Sequence, residues 1–360
     1  MHGERKIGLV APLPPQIGGV ASFAEWLLAH DGEIGCRYET FDLWRPPDGG
    51  VGGRLTPRDA ARQLRLLGRF ARWARTAPPL VHYSVSSTST GLARDVAFVG
   101  LLRLARRRVV GHVHIVPVQG RARRLLRALD RFVTCWVALA PTSARLLAEL
   151  GIDAKWIANP VRIQPNGNRS TGSSGALRLL FVGRYVERKG CPELLAALAR
   201  ARADGIDATL VFVGQEEHDG EERALRRDVK ARRLDGVVEF AGVAAPSALA
   251  EHFGSSDVIC LPSKLEGVPL ALLEGMAFGL PALATPVGGI ADFVESGENG
   301  LLVEPGDVEG LAESIRLLAQ DPELLRRLGE TAKRRVRAAT GDTELVRRWR
   351  EVYAACEEGA

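Results

Sequence analysis

The sequence predicts an α/β protein of two doubly wound halves facing each other across a cleft, and three observations carry that prediction. Short apolar, β-branched runs alternate with longer helical patterns along the chain, as in βαβ units that build a parallel sheet. A stretch rich in Gly, Ser, Asn and Pro, Arg162 to Gly175, interrupts the alternation and reads as a linker. The length of 360 residues exceeds what one hydrophobic core usually holds. The expected domains are 1–165 and 166–342, with a last helical segment, 343–360, placed back on the first domain or on the second.

The expected strands of the first half are Ile7–Pro12, Tyr38–Leu43, Leu80–Val85, Val109–Ile115 and Trp136–Ala140. Helical stretches lie between them: Thr56-Pro57 gives one a cap and a first-turn proline, and Thr142 is the expected cap of another. After the linker the expected strands are Leu177–Val182, Thr209–Val213, Val237–Phe240 and Val258–Leu261. Open parallel sheets bind ligands beyond the carboxyl ends of their strands, which makes the loops there the place to look for chemistry.

Composition narrows the class. Hydrophobic residues at 46% and charged residues at 25% are ordinary for a globular protein. No apolar run approaches the roughly 20 residues of a membrane span, and the opening MHGERKIGLVAPLPP is too short and Pro-rich in its apolar part for a signal peptide. The five cysteines (Cys36, Cys135, Cys191, Cys260, Cys356) are scattered and lack metal-ligand spacing. Reduced thiols and a cytoplasmic location are therefore expected. Residues 1–165 carry a net charge of +12 and the remainder −7. A basic half suits an anionic lipid surface, nucleic acid or a phosphorylated acceptor, although with only six Lys among 48 basic residues Arg is equally read as a general surface filler. Nucleic acid is disfavoured by the lack of a reading motif and by only 6% aromatics for base stacking. An NAD site is disfavoured because no Gly-x-Gly-x-x-Gly follows the first strand.

The most informative segment is Leu261 to Gly289, LPSKLEGVPLALLEGMAFGLPALATPVGG. A strand ends at Leu261, a loop carries Glu266 and Gly267, and Pro269 stands where a helix begins, its missing N–H costing nothing there. The helix N-terminus is an anion site, and Gly267 allows close backbone approach. Glu266 and Glu274, roughly 12 Å apart along a helix rise, are too far apart for paired glycosidase carboxylates at roughly 5–9.5 Å. They read as two contacts on one long ligand. In the second segment, Phe181–Gly190 (FVGRYVERKG), Arg184 and Lys189 follow a strand end and suit a diphosphate, Arg as a fork and Lys as a point charge.

These pieces resemble the retaining glycosyltransferases of the GT-B fold, a pair of Rossmann-like domains, and specifically glycosyltransferase family 4. The resemblance rests on Gly183-Arg184 with Lys189-Gly190, Pro262-Ser263, the Glu266 and Glu274 pair, Gly279-x-Pro281, Val287-Gly288-Gly289 and Asn299-Gly300-Leu301-Leu302-Val303. It is dense in the C-terminal half and thinner in the N-terminal one. It implies that Arg184 and Lys189 bind the donor diphosphate, Glu274 the ribose hydroxyls and Glu266 the donor sugar. Backbone groups of Gly267, Val268, Pro269 and Leu270 would help to seat sugar and phosphate, and Val243 would sit near the base. In the N-terminal half Gly18-Gly19-Val20 resembles the glycine loop facing the diphosphate. His114, in Val109-Val110-Gly111-His112-Val113-His114, matches the histidine facing the donor sugar. His112 lies on the same strand face, but His114 is nearer the carboxyl end. His82 and His252 read as structural.

The implied activity is transfer of a sugar from a nucleotide-diphosphate sugar, UDP-sugar favoured, to an acceptor hydroxyl on a carbohydrate or lipid-linked glycan precursor, with retention. No Asp-x-Asp occurs, so no metal and no cofactor are expected; cations and a helix N-terminus would meet the charge developing on the leaving diphosphate. The alternative is a catalytically silent sugar-nucleotide-binding protein of the same fold. The stretch Gly120–Phe132, GRARRLLRALDRF, reads as a basic amphipathic helix, either resting on anionic lipid at the inner face of the membrane or packed on the sheet.

Overall fold

The computed structural model describes residues 5–14, 19–43, 57–117, 120–161 and 175–358. Gly18, Thr56 and most of the expected linker lie outside the described residues. The chain divides into two compact units, Met1–Pro160 with Asp342–Ala360, and Val161–Gly341.

The first unit holds a six-stranded parallel sheet of β1 (Lys6–Ala11), β2 (Arg37–Asp42), β3 (Leu80–Val85), β4 (Arg108–Val113), β5 (Cys135–Ala138) and β6 (Ala154–Trp156), in the order β2-β1-β3-β4-β5-β6. Side-chain alternation sends Ile7 and Leu9 to one apolar layer and Val10 to the other. Both faces are covered, as parallel sheets require. The last helix, Asp342–Glu358, closes one face by burying Leu345, Trp349 and Tyr353 against Phe23, Val110 and Val137.

The second unit repeats the plan with β7 (Leu177–Val182), β8 (Ala208–Val213), β9 (Val238–Gly242), β10 (Val258–Leu261), β11 (Ala282–Ala284) and β12 (Gly300–Leu302), in the order β12-β11-β10-β7-β8-β9. In each sheet the strand order reverses at the first strand of the unit. The chain runs outward from β1 to β2 and then crosses to β3; likewise β7 to β8, β9 and back to β10. Such reversals leave a crevice beyond the strand ends.

Several local expectations need correction. β6, β11 and β12 are strands that composition did not announce. Thr142 does not cap its helix: Ala140 holds the cap position and Pro141 opens the helix Pro141–Ala148, because proline's fixed φ suits the first turn. Pro269 is the cap residue itself, in an extended conformation, with the helix starting at Leu270. The cysteines are not all free. Cys135 and Cys356 form a disulfide, their Cα atoms 6.3 Å apart across a sequence separation of 221, a pairing that only the packing of the last helix creates. Cys36, Cys191 and Cys260 are buried free thiols.

The basic helix spans Gly120–Asp130, and its apolar side is already used: Ala122, Leu126 and Leu129 are buried in the first unit's core. Arg121, Arg124 and Arg127 face outward. Of the two readings of this segment, packing on the sheet is the one its apolar face takes. Among the described residues no helix is long and apolar enough to cross a membrane.

Candidate functional site

At the reversal of the second sheet, the loops after β7 and β10 are bound to one another. The backbone N–H of Lys264 donates to the Arg188 carbonyl at 2.8 Å. A 3-10 turn, Glu187–Lys189, presents Lys189 and ends at Gly190 in the left-handed region, φ 74°. A Cβ at Gly190 would strike the Pro262 carbonyl, so only glycine lets the two loops approach this closely. Gly288 makes the matching contact on the other side. Its φ is 60°, a Cβ there would strike the Glu266 carbonyl, and Gly289 N–H donates to the Gly267 carbonyl at 2.7 Å.

This backbone framework brings Lys189 and Glu266 together. The Lys189 ammonium donates to Glu266 Oε1 at 2.5 Å, with both side chains largely buried. Ser263 Oγ–H donates to the same oxygen at 2.7 Å. Ser263 is itself fixed, since Thr285 Oγ–H donates to its carbonyl at 2.5 Å and both residues are fully buried. Glu266 is thus a carboxylate of defined orientation, and Lys189 uses one of its three N–H donors among the described residues.

Just beyond lies the eight-residue helix Leu270–Ala277. Leu272 and Leu273 both donate to the Pro269 carbonyl, at 3.2 and 3.3 Å, so the amides before them have no intrahelical acceptor and the helix offers its positive end. Val268 is buried under this turn and Glu274 is buried on the helix, 7% exposed. Arg184, half exposed, pairs with Glu217 at 3.3 Å, and Arg188 pairs with the same carboxylate at 2.8 Å. Glu217 was not foreseen: it follows β8, and no motif spacing links it to the arginines it holds. Val243, just after β9, is 57% exposed.

In the first unit Gly19 is the first residue of the helix Gly19–Ala29, so with Val20 it opens a helix instead of extending a loop. His114 follows β4 directly and lines an open pocket. Behind it is a buried chain: Tyr38 and Tyr353 hydroxyls at 3.0 Å, Tyr353 to His82 Nδ1 at 2.7 Å, and His82 Nε2 to His112 Nδ1 at 3.2 Å. Burial pushes the imidazoles down, His82 to about 3 and His114 to about 4, and His112 well below its usual range with the His114 and His82 charges adding to the effect. All three are neutral near pH 7. Among the described residues no group of three or more His, Cys, Asp or Glu is placed to hold a metal ion.

Residues 168–335 match the family of glycosyl transferases group 1. Known proteins agree with that match. The glycogen synthase of Mycobacterium tuberculosis is 28% identical over 245 residues, 65% of this chain and 56% of that protein. The N-acetyl-alpha-D-glucosaminyl L-malate synthase of Bacillus anthracis is 32% identical over 176 residues, 49% of this chain and 44% of that protein. The alignments thus span about half the length of these curated relatives. Anabaena HepE, solved in complex with UDP and glucose, superposes with a TM-score of 0.76 at 18% identity, covering 98% of this chain and all of that one. The fold is the two-domain, Rossmann-like GT-B architecture.

Proposed function

We propose that the chain is a glycosyltransferase that moves a sugar from a nucleotide-diphosphate sugar, UDP-sugar favoured, to an acceptor hydroxyl, with retention and without a metal ion. The observation that carries this reading is the Lys189–Glu266 pair held at the strand reversal beside a helix N-terminus. A diphosphate there meets the spare donors of Lys189, the guanidinium of Arg184 and the amides around Leu270, fixed charges that need no rearrangement as the leaving group gains charge. Glu266 accepts from a hydroxyl of the donor sugar and Glu274 from the ribose, with Gly267 to Leu270 lining the approach and Val243 beside the base. By the same resemblance His114 is assigned to the donor sugar and Gly18-Gly19 to the diphosphate. The bond from the anomeric carbon to the diphosphate breaks, the acceptor oxygen bonds to that carbon on the same face, and the acceptor's proton passes to the leaving phosphate oxygen. The acceptor is a carbohydrate or a lipid-linked glycan, and the outward arginines of the Gly120–Asp130 helix give the chain a charge-based contact with anionic membrane.

Calorimetry with UDP, GDP, ADP and their sugar conjugates in EDTA tests the reading. Micromolar binding of one nucleotide is expected, at least tenfold weaker in both Lys189→Ala and Glu274→Ala. Binding that appears only after Mg²⁺ is restored would refute metal independence; a donor that binds but never turns over with any acceptor would mark a silent fold. No binding in either condition ends the donor-site assignment.

A further inference from the structure

The first unit has its own crevice at the strand reversal, a pocket of 260 Å³ at the carboxyl ends of β1, β3 and β4. Its polar lining comes from Ser84, Ser86, Ser87, Thr88, Arg94 and His114. Two of these side chains are buried with an atom that has no hydrogen-bond partner among the described residues, Ser84 Oγ at 5% exposure and His114 Nε2 at 9%. The cost of leaving a buried polar atom unsatisfied is recovered when a ligand supplies the partner.

Arg94 is built into the wall. Its Nε and Nη2 donate to Asp95 Oδ1 at 3.1 and 2.8 Å, and Nη2 also donates to Ser86 Oγ at 2.9 Å. Nη1 makes no hydrogen bond among the described residues. Asp95 is fully buried and spends its charge internally, accepting in addition from the Tyr83 hydroxyl at 2.8 Å and from Ser86 N–H at 2.7 Å. Burial works against the Arg94 charge, but Tyr83 and Asp95 beside it hold its pKa above the ordinary value. No Asp or Glu is among the lining residues. The 16-residue helix Ser89–Leu104 starts at the pocket, capped by Thr88, with no acidic residue in its first turn. The positive end of its dipole therefore adds to the cation.

We propose that this pocket binds an anionic group, a phosphate or a carboxylate, carried by the acceptor. The free edge of Arg94 and the Ser84 hydroxyl donate to the anion. A carboxylate-free wall with one anchored guanidinium rejects cations and favours an anion over a neutral polyol. The net charge of +12 over residues 1–165 draws such an acceptor to this unit. The word acceptor rests on the transferase reading; the anion site does not.

The test is calorimetry on protein saturated with UDP, which occupies the second unit's cations, with inorganic phosphate, acetate and, as a neutral control, glycerol as titrants. At least one anion is expected to bind where glycerol does not, at least tenfold weaker in Arg94→Ala and about threefold weaker in Ser84→Ala. Ser87→Asp places a carboxylate in the lining without disturbing the Arg94–Asp95 contact, so it remains informative if Arg94→Ala fails to fold; it too should lose at least tenfold, with UDP affinity unchanged. Neither anion binding to the wild type, or anion binding unchanged in Ser87→Asp, overturns the proposal. If UDP itself fails to bind, the donor reading is what has failed, and the anion titration is repeated on Lys189→Ala without nucleotide, with the same two outcomes.

Discussion

Both units are six-stranded parallel sheets whose order reverses at the first strand, but their close-fitting glycines meet different neighbours. In the second unit the tight glycines touch backbone: a Cβ at Gly190 or Gly288 would strike a main-chain carbonyl. In the first unit two close-fitting glycines lie within strands and touch side chains, Gly8 of β1 against Trp73 and Val81, and Gly111 of β4 against Trp136 and Val133. A main-chain contact permits one residue type only and leaves a fixed trace in the sequence. Side-chain packing has many solutions and leaves little trace. Residues 168–335, the part that matches the family, are the part in which these strand-end glycines meet main chain.

The sharpest way to break that comparison is Gly288→Ala. The new methyl meets the Glu266 carbonyl in a left-handed conformation, strain of about 1–3 kcal/mol before the steric clash is added. We expect the Glu266 loop to shift and UDP affinity to fall more than a hundredfold. All six tryptophans lie in the first unit, so tryptophan fluorescence reports that unit alone, and its urea midpoint should not move. A shifted midpoint with intact UDP binding would reverse the argument.

A second test acts on the first unit only. Folding holds the His82 and His114 pKa values near 3 and 4 and lowers that of His112, against about 6.5 in an unfolded chain. Above pH 6.5 neither state is protonated and the buried triad is fully compatible with folding. As pH falls from 6.5 towards 4 the unfolded chain takes up protons that the folded one refuses, so stability is lost, at most about 1.4 kcal/mol per pH unit for each histidine. The fluorescence-detected urea midpoint should therefore drop clearly between pH 7.5 and pH 5. The drop should shrink in His112→Gln, if that variant folds. An unchanged wild-type midpoint would mean that the triad accepts protons freely.

How far the sequence could be read follows the same division. The longer strands were legible because β-branched and aromatic runs such as LVHYSV and LRLLFV are bounded by polar turns. β11, Ala-Leu-Ala, and β12, Gly-Leu-Leu, were not, since three residues of weak strand propensity become strands only by pairing with β10 and its neighbour. Arg184, Lys189 and Glu266 stand out because they sit beside glycines and prolines at strand ends, and Glu274 by its place eight residues after Glu266 on the helix that follows. Glu217, which holds Arg184, and Asp95, which anchors Arg94, do not, because each works through a tertiary contact or a buried side chain rather than a spacing. The Cys135–Cys356 bond was invisible for the same reason. The preference for His114 over His112 rests on strand polarity alone, whereas the chain from His82 to Tyr353 depends on the last helix being in place.

The smallest expected effect concerns the basic surface of the first unit. The Gly120–Asp130 helix has one face in the core, through Ala122, Leu126 and Leu129, and another in solvent, through Arg121, Arg124 and Arg127. Changing the three arginines to alanine removes no buried contact, so stability should move by no more than about 0.5 kcal/mol per site. Any contact with anionic vesicles that runs through this face is electrostatic, about 1 kcal/mol per arginine near the surface, and fades over a Debye length of about 8 Å at physiological salt. Vesicle flotation of the wild type should therefore fall steeply with added salt and be nearly lost in the triple variant. Salt-resistant flotation would require the apolar face to insert, and that face cannot leave the core without exposing Leu126 and Leu129. Salt-resistant binding with an unchanged fluorescence midpoint would thus rule out this helix as the contact and direct attention to another surface of the first unit.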